Sequence, residues 1–225
     1  MTTKGKLIVI DGIDGAGKTT QADRLIEHLI QAGLPAERIK FPRYETFTGQ
    51  SIRRYLRGEL GLPLDQSPYL VSLLFAIDRS AARDELIQKL NRGITLVLDR
   101  YIPSNACFQA ARLPATKRQA FRAWLNELEY HHFKLPRADA FIFLSIPAKK
   151  ADVLIKQRGE KREAYEKDYK LTQRIAKEYE KLCQTDPTAH KIRCNQGEKL
   201  LTIEQIHERI WQELKPIVAP IMEVI

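Results

Sequence analysis

Short apolar segments alternate with longer segments of helical periodicity along the whole chain. The apolar segments, rich in aliphatic and β-branched residues, are Leu7 to Asp11, Arg38 to Phe41, Thr95 to Asp99, Ala140 to Ser145 and Lys191 to Cys194. Strands that are separated by helices pair in parallel, and the helices pack on both faces of the sheet. The pattern therefore predicts an α/β fold with three layers, α/β/α, around a five-stranded parallel sheet.

A helix is predicted most clearly from Lys18 to Gln31. Apolar residues recur there at three- and four-residue intervals, and Gly33 follows at the position where a glycine typically ends a helix. Other segments of similar periodicity predict helices over Tyr69 to Asn91, Lys117 to Tyr130, Ala148 to Gln157, Ala164 to Cys183 and Ile203 to Leu214. We expect these elements to form one domain, residues 1–225.

The helix from Tyr69 carries two distinct groups of residues. Its apolar residues on one side, which we expect to face the core, are Leu70, Leu73, Leu74, Ile77 and Ala81. Phe75 and Arg79 lie off that stripe and four positions apart, so they are neighbours on another face. An aromatic ring beside an arginine on such a face indicates either a surface cation–π pair or a flat ligand such as a nucleobase.

The composition is that of a globular domain. The 225 residues are 44% hydrophobic, which is enough for one core and leaves no room for a second full domain. No apolar run approaches the ~20 residues of a membrane span, and the start of the chain lacks the features of a secretory signal. The cysteines, Cys107, Cys183 and Cys194, have no metal-ligand spacing and are expected to be reduced. We therefore expect a cytoplasmic protein without a membrane partner.

The formal net charge of +9 fits either a nucleic-acid surface or an enzyme that handles small polyanions. The basic residues are scattered among acidic ones, as in KQRGEKREAYEKDYK. A nucleic-acid stripe is usually denser and interleaved with aromatic residues. The charge pattern therefore favours small anionic ligands over a polynucleotide.

A phosphate-binding loop lies between the first predicted strand and the first predicted helix. The segment matches G-x-x-x-x-G-K-[S/T], and the predicted ATP-binding residues are Gly12, Ile13, Asp14, Gly15, Ala16, Gly17, Lys18, Thr19 and Thr20. Glycines let backbone N–H groups converge on a phosphate, and the helix N-terminus adds partial positive charge. Lys18 is expected to reach the β- and γ-phosphates, and Thr19 to bind Mg²⁺.

The same loop occurs in GTPases, motor ATPases, transporters and kinases, so other residues must distinguish these classes. The chain has no guanine-reading N-K-x-D or T-K-x-D sequence, and its D-x-x-G match lies inside the loop itself, from Asp14 to Gly17. It also lacks an L-S-G-G-Q segment. A GTPase and a transporter-type ATPase are therefore disfavoured.

A second motif, DRYIPSNACFQ, begins at Asp99, where the third predicted strand ends. Ligands of α/β proteins bind at this edge of the sheet. Here the chain resembles the thymidylate kinase family, because DGIDGAGKTTQ, FPRYET, LLFAIDR, DRYIPSNACFQAAR and an LP segment before a strand occur in that family's order and approximate spacing. The resemblance covers nearly the whole chain and implies phosphoryl transfer from ATP to dTMP, which gives ADP and dTDP.

This reaction needs no general base, because its acceptor is already an anionic phosphate; it needs cations that bring two anions together. By similarity to the family's Asp-Arg-Tyr motif, Arg100 would bind the acceptor phosphate with its bidentate guanidinium. The resemblance implies Mg²⁺ as cofactor and ATP as co-substrate. It assigns the metal to Thr19, Asp14, Asp99 and Glu166, with Asp14 also near the sugar 3′-hydroxyl.

The segment 156–168 resembles the mobile lid of nucleoside monophosphate kinases, whose closure excludes water. Gly15 stands at about the position where one branch of the family has an arginine, so the candidate catalytic arginines of the lid are Arg158 and Arg162. A solvated charged helix is the alternative for either of them. Lid residues that resemble the family's acidic and tyrosine positions near substrate and metal are Glu163, Tyr165 and Glu166.

The resemblance also implies how the acceptor base is bound. Phe75 would stack on thymine, and Arg79 would donate to the thymine O4 oxygen, which disfavours cytosine because cytosine carries an amino group there. Asn105 would satisfy the N3 edge, with Gln109 as a second candidate. The other residues expected around the acceptor nucleotide are Phe41, Pro42, Tyr44 and Phe108, and either Arg43 or Arg53 would reach a phosphate.

Phe108 replaces a tyrosine that part of the family has beside the sugar 2′ position, so the selectivity for deoxyribose stays open. Two other functions also stay open. A different P-loop nucleoside monophosphate or deoxynucleoside kinase is the second choice, and a nucleotide-binding protein without catalysis is the third. A homodimer is implied by the family resemblance alone, and no nucleic-acid partner is expected.

Overall fold

The computed structural model describes residues 4–60, 67–157 and 168–222, with side chains up to Val218. The strands of the main sheet are β1 (Leu7–Asp11), β2 (Ala36–Lys40), β3 (Thr95–Asp99), β4 (Ala140–Ser145) and β5 (Ala189–Arg193). Their order is β2-β3-β1-β4-β5, and every neighbouring pair is parallel. The predicted α/β fold with a five-stranded parallel sheet is confirmed.

The central position of β1 determines where a ligand can bind. Every residue of β1 and β3 is buried, as expected of parallel strands with helices on both faces. The edge strands β2 and β5 are only partly buried and carry charged residues. Because β1 pairs with β3, the loops that follow Asp11 and Asp99 lie side by side at the carboxyl edge of the sheet.

The helices surround this sheet. They are α1 (Lys18–Gln31), α2 (Phe47–Leu56), α3 (Pro68–Asn91), α4 (Ile102–Ala110), α5 (Arg118–Asn126), α6 (Ala148–Gln157), α7 (Tyr169–Thr185) and α8 (Ile203–Met222). A 3₁₀ turn (Ala115–Lys117) precedes α5, and a π-helical turn (Glu127–His132) follows it. The predicted bounds of α1 and α6 are those observed.

Other helix predictions differ from the structure. The single helix predicted from Lys117 to Tyr130 is three consecutive pieces, and α8 continues to Met222 instead of ending at Leu214. Helical periodicity does not predict α2 or α4. All nine residues of α4 are buried, so it has no polar face that would generate an amphipathic pattern.

The apolar stripe predicted to bury α3 is wrong. Leu70 and Ile77 are 58% and 46% exposed, and Ala81 is exposed as well. The buried face of α3 instead includes the charged residues Asp78 and Arg79. Hydrophobic periodicity cannot identify a buried face whose polar groups are satisfied by distant parts of the chain.

A small antiparallel hairpin, β6 (Asn195–Gln196) and β7 (Lys199–Leu200), connects β5 to α8. Its two-residue strands are too short to produce a periodic pattern, so no local signal in the sequence predicts the hairpin. Lys150 in α6 donates to the backbone carbonyl of Glu198 at the tip of the hairpin. The hairpin is thereby held beside the helix that packs against the phosphate-binding loop.

The largest hydrophobic cluster lies around the sheet, and smaller clusters fill the space between α2 and α3 and between α4 and α5. In the described part of the chain, no helix combines the length and apolar character needed to cross a membrane. The cysteines, all within the described ranges, are free. Residues 158–167, which form most of the predicted lid, lie outside the described residues.

Candidate active site

The phosphate-binding loop connects β1 to α1 and packs closely against β4 and α6. Gly12 has φ 148°, and a Cβ there would lie 2.8 Å from the backbone oxygen of Leu144 in β4. Gly15 has φ 79°, and a Cβ there would lie 2.6 Å from the backbone oxygen of Ala151 in α6. Only glycine fits either position, because a side chain would meet both a strained backbone and a neighbouring main chain.

Lys18 is buried at the start of α1. Its ammonium donates to the backbone oxygens of Gly12, at 3.1 Å, and Ile13, at 2.8 Å, and lies 3.5 Å from the carboxylate of Asp14. Burial and the nearby charge of Arg100 lower the pKa of Lys18, although Asp14 favours its charged form. The ammonium is thus a desolvated positive charge inside the loop.

Arg100 lies directly after β3 with its backbone in the left-handed region, at φ 72°. Its Nη2 donates to Asp14, and its Nη1 donates to the Ser104 hydroxyl at 3.1 Å. Burial lowers the pKa of Arg100, but Asp14 and Asp11 outweigh burial and raise it. For Asp14, burial raises the pKa, yet Arg100 and Lys18 hold it below its usual value. The negative charge of Asp14 is therefore stabilised by the positive charges of Lys18 and Arg100, and it stabilises them in turn.

Asp11, at the end of β1, lies beneath this group. Its Oδ1 accepts from the backbone N–H of Gly12 at 2.9 Å, and from the hydroxyls of Ser104 and Tyr179 at 2.8 Å each. Burial raises the pKa of Asp11 in spite of the positive charge of Arg100. Tyr179 belongs to α7, so these hydrogen bonds connect α7 to the base of the phosphate-binding loop.

A second carboxylate, Asp99, ends β3 on the other side of the loop. Its Oδ2 accepts from the Thr19 hydroxyl at 2.6 Å and lies 3.8 Å from the Lys40 ammonium. Its Oδ1 is buried and has no hydrogen-bond partner among the described residues. The described ranges contain no group of three or more His, Cys, Asp or Glu side chains that could hold a metal by themselves. Within the described ranges, Thr19 and Asp99 are thus the side chains beside the loop that could contribute oxygen ligands to a hard cation.

One cavity opens beside Arg100 on the side away from Lys18. The residues predicted for the acceptor site that line it are Asp14, Phe41, Pro42, Tyr44, Phe75, Arg79, Arg100, Asn105, Phe108 and Gln109. It is also lined by Leu56, Asp78, Tyr101 and Ser104. Apart from the alternative phosphate contacts Arg43 and Arg53, every acceptor-site residue predicted within the described ranges thus lies around one cavity.

Arg79 and Asn105 are held together at the inner end of that cavity. Arg79 is 2% exposed, and its Nε and Nη2 each donate to the carboxylate of Glu129 at 2.6 Å. The amide nitrogen of Asn105 donates to the same carboxylate and to the backbone oxygen of Ser72, both at 3.1 Å. The alternative of a surface cation–π pair for Phe75 and Arg79 is wrong, because Arg79 is buried.

The loop of sequence FPRYET, which carries Phe41, Pro42 and Tyr44, is organised by Asp78. The Asp78 carboxylate accepts from the backbone N–H of Arg43 and from the hydroxyls of Thr46 and Thr48. The guanidinium of Arg43 lies beside Asp78 and Glu85. The guanidinium of Arg53 lies 4.4 Å from the ring centre of Tyr44. Both arginines predicted as alternative phosphate contacts are therefore engaged with protein groups.

A second cavity lies on the Lys18 side. It is lined by Asp14, Gly15, Ala16, Gly17, Lys18, Thr19, Thr20, Gln21, Lys40, Asp99, Arg100, Ile146, Leu154, Cys194, Leu200, Leu201, Ile203 and Ile206. Its apolar members outside the loop come from α6 and the residues just before it, from the segment between β5 and α8, and from the start of α8, and the sequence does not predict them. Asp14 and Arg100 line both cavities, so the two cavities meet at this pair.

Sequence reasoning also misses Ser104, Asp78, Glu129 and Tyr179. Ser104 and Asp78 fall inside sequence segments that carry the family resemblance, which could have drawn attention to them. Glu129 and Tyr179 fall inside ordinary helical stretches, and only the fold brings them to the site. The predicted lid residues Arg158, Arg162, Glu163, Tyr165 and Glu166 lie outside the described residues.

Known proteins that are similar to this chain belong to one family. The family model described as thymidylate kinase matches residues 10–210. A thymidylate kinase of Mycobacterium tuberculosis is 37% identical over 187 residues, which cover 78% of this chain and 85% of the relative. One from Schizosaccharomyces pombe is 33% identical over 184 residues, covering 78% of this chain and 79% of the relative.

Among solved structures, that of thymidylate kinase from Candida albicans superimposes with a TM-score of 0.77 at 25% identity, covering 96% of this chain and 94% of that one. The sequence match, the fold and the order of the motifs lead to the same family. The chain belongs to the thymidylate kinase family.

Proposed function

We propose that this chain transfers the γ-phosphoryl group of ATP to dTMP, giving ADP and dTDP for the synthesis of dTTP. The observation that carries the proposal is the meeting of two cavities at Asp14 and Arg100. Lys18 and the phosphate-binding loop line one cavity, while Phe75 and Arg79 line the other. A donor and an acceptor nucleotide bound in these cavities would have their phosphates at the shared boundary.

The residues at that boundary suit phosphoryl transfer between two anions. The acceptor oxygen of dTMP is already ionised, so the protein has to position it and offset its charge. Arg100 would bind the dTMP phosphate after exchanging part of its contact with Asp14 for the ligand. Lys18 would exchange the carbonyls of Gly12 and Ile13 for the phosphates of ATP. Lys18 is buried and Arg100 is partly buried at this boundary, so both positive charges lie close to where the two phosphates would meet.

The residues beside the loop also fit Mg²⁺. Thr19 provides a hydroxyl, and Asp99 provides a buried carboxylate oxygen that lacks a partner among the described residues. A hard cation that retains several waters needs only such a pair together with phosphate oxygens. When bound, Mg²⁺ would neutralise charge on the β- and γ-phosphates of ATP. Asp14 is less suited to be a direct ligand, because Arg100 and Lys18 already occupy its carboxylate.

The acceptor cavity has the polarity that thymine requires. The Asn105 Oδ1 is buried without a partner among the described residues, so it can accept from the thymine N3–H. Arg79 can donate to the O4 oxygen through Nη1. Phe75 would pack against the ring, and Phe41, Pro42 and Tyr44 would enclose the nucleotide from the opposite loop. Phe108 and Gln109 complete the lining near the sugar.

The adenine of ATP would occupy the apolar end of the other cavity. Ile146, Leu154, Leu200 and Ile206 line that end, and they offer a flat ring hydrophobic contact on two sides. We assign the segment 156–168 as a lid of this single domain, with Arg158 and Arg162 as the arginines that would approach the transferred group. Glu163, Tyr165 and Glu166 are its remaining candidates. The support for these lid assignments is the resemblance alone.

The family resemblance further supports a homodimer in the cytoplasm. Leu70 and Ile77 are large apolar side chains seven positions apart on one face of α3, and about half of each is exposed, so we assign this face as the candidate interface. Sedimentation of the wild type and of Ile77→Lys, over a range of concentrations, tests this face. A dimer that becomes a monomer in the variant supports the interface, whereas a monomeric wild type contradicts it.

The activity is tested by an ADP-release assay with ATP and a panel of nucleoside monophosphates, with and without Mg²⁺. ADP formation that requires both dTMP and Mg²⁺ is expected. Robust activity with AMP or CMP and none with dTMP would favour a different nucleoside monophosphate kinase. ATP binding without turnover on any acceptor would favour a nucleotide-binding protein without catalysis.

A further inference from the structure

Glu129 is a fully buried carboxylate that does not itself line either nucleotide cavity. It lies in the π-helical turn Glu127–His132, which follows α5. Such turns are rare and occur frequently at functional sites, since they interrupt the regular helical hydrogen bonds. Here the turn places the Glu129 carboxylate behind Arg79 and Asn105, which line the acceptor cavity.

The carboxylate of Glu129 holds two residues of that cavity at once. Its two oxygens accept from Nε and Nη2 of Arg79 at 2.6 Å, in the bidentate geometry that fixes the plane of a guanidinium. Its Oε1 also accepts from the amide nitrogen of Asn105 at 3.1 Å. Arg79 and Asn105 come from α3 and α4, so one side chain connects two helices that line the same cavity.

These contacts determine which atoms face the cavity. Because the Asn105 nitrogen is committed to Glu129 and to the Ser72 carbonyl, its Oδ1 is left as an acceptor with no partner among the described residues. Because Arg79 uses Nε and Nη2 on Glu129, its Nη1 is left as a donor, with no hydrogen bond to any described residue. Arg79 and Asn105 therefore offer one donor and one acceptor side by side in this cavity.

We propose that Glu129 is a positioning residue that sets pyrimidine selectivity, by holding the donor of Arg79 and the acceptor of Asn105 toward the base edge. A 4-oxo pyrimidine has an O4 acceptor and an N3–H donor, which match this order. A 4-amino pyrimidine such as cytosine has the reverse order at both positions. The inference rests on the proposed function, since it concerns the acceptor cavity of the same reaction.

A buried acid with several cationic partners can also serve folding alone, and the chain contains such a residue. Glu178 in α7 is 1% exposed and accepts from Arg118, Arg122 and Lys181. It lines neither nucleotide cavity. Glu178 is therefore a matched control: its neutralisation removes a buried charge of comparable connectivity without disturbing the base edge.

The test compares kcat/KM for dTMP and for dCMP in the wild type, Glu129→Gln and Glu178→Gln. In Glu129→Gln one acceptor oxygen becomes a donor, so the Arg79 fork is broken and the Asn105 amide is free to turn. We expect the dTMP-to-dCMP ratio to fall by about tenfold or more, the cost of one misplaced buried hydrogen-bonding group. The loss should appear mainly as a higher KM for dTMP. Glu178→Gln is expected to lower the melting temperature and leave the ratio unchanged.

Glu129→Asp provides a second variant, because it keeps the charge that a folded protein needs and withdraws the carboxylate by about one C–C bond, ~1.5 Å. We expect this variant also to lower the ratio, by a smaller factor. Folded Glu129→Gln or Glu129→Asp with a wild-type ratio would overturn the proposal, as would an equal fall in Glu178→Gln. A wild type that phosphorylates neither dTMP nor dUMP would refute the proposed function instead.

Discussion

Arg100 donates a hydrogen bond from Nη2 to the carboxylate of Asp14, at the boundary that the two cavities share. The backbone of Arg100 is left-handed, with φ 72°, which a residue with a Cβ adopts only at an energetic cost. The backbone N–H of the same residue donates to Ile10 in β1 at 3.1 Å. The left-handed backbone of Arg100 thus coincides with a side chain that lines both cavities.

The strained backbone predicts different stabilities for two Arg100 variants that should lose the same amount of activity. Arg100→Ala and Arg100→Gly both remove the guanidinium, so each should lower kcat with dTMP by about 10²- to 10³-fold. Arg100→Gly should nevertheless be more stable than Arg100→Ala, by about 1 kcal/mol in the free energy of unfolding, because glycine adopts positive φ without strain. Denaturant unfolding of the two variants measures this difference. Equal stabilities, or a more stable alanine variant, would show that the backbone of Arg100 is not strained.

Lys18→Ala tests the donor side of the site. We expect ADP formation to fall by about 10²- to 10³-fold with every acceptor, because the lysine acts on ATP and not on the acceptor. Lys117→Ala, which changes an exposed residue of the 3₁₀ turn, is the control and should keep the wild-type rate. A loss confined to one acceptor would contradict the assignment of Lys18 to ATP.

Asp11→Asn tests the buried carboxyl beneath the loop. Burial raises the pKa of Asp11, so the folded state keeps its proton to a higher pH than the unfolded state does. Its ionisation therefore costs stability as the pH rises above the unfolded value of about 4. Asparagine retains the acceptor for Gly12, Ser104 and Tyr179, and it removes this cost.

Thermal or denaturant unfolding at several pH values measures the effect. Asp11→Asn should exceed the wild type in free energy of unfolding at neutral pH, and the gain should vanish below about pH 4. A wild type that is the more stable protein at neutral pH would show that ionised Asp11 is stabilised by Arg100 beyond the cost of burial.

Asp78→Ala tests the organisation of the FPRYET loop. The variant loses the acceptor for the Arg43 backbone N–H and for the hydroxyls of Thr46 and Thr48, so we expect about 1–3 kcal/mol of destabilisation. The KM for dTMP should rise while the KM for ATP stays unchanged. Asp84→Ala, on the same helix with 78% of its side chain exposed, should alter stability by less than about 0.5 kcal/mol. An increase in KM for ATP alone would contradict the role of Asp78.

Local sequence patterns were sufficient for the sheet and for the phosphate-binding loop. The bounds of β1, β3, β4, α1 and α6 follow from apolar runs and from amphipathic periodicity, which are properties of a single segment. Helix α4 could not be found in this way, because burial on all sides removes its polar face.

The inner end of the acceptor cavity shows the limit of such reasoning. Arg79 and Glu129 are 50 positions apart, and no local pattern relates them. Apolar periodicity alone assigns the side of α3 with Leu70 and Ile77 to the core, whereas the structure buries the side with Arg79. Helical spacing singled out Arg79 together with Phe75, and the family resemblance supplied Asn105, but the residue that orients Arg79 and Asn105 required the fold.

Transfer of label from ATP marked at its γ-phosphate tests the central claim most directly. With dTMP and Mg²⁺ present, we predict that the label appears in dTDP, and that omission of either component prevents its transfer. Label found in the diphosphate of AMP or CMP while dTMP remains unlabelled, or label released only as inorganic phosphate, would contradict the account.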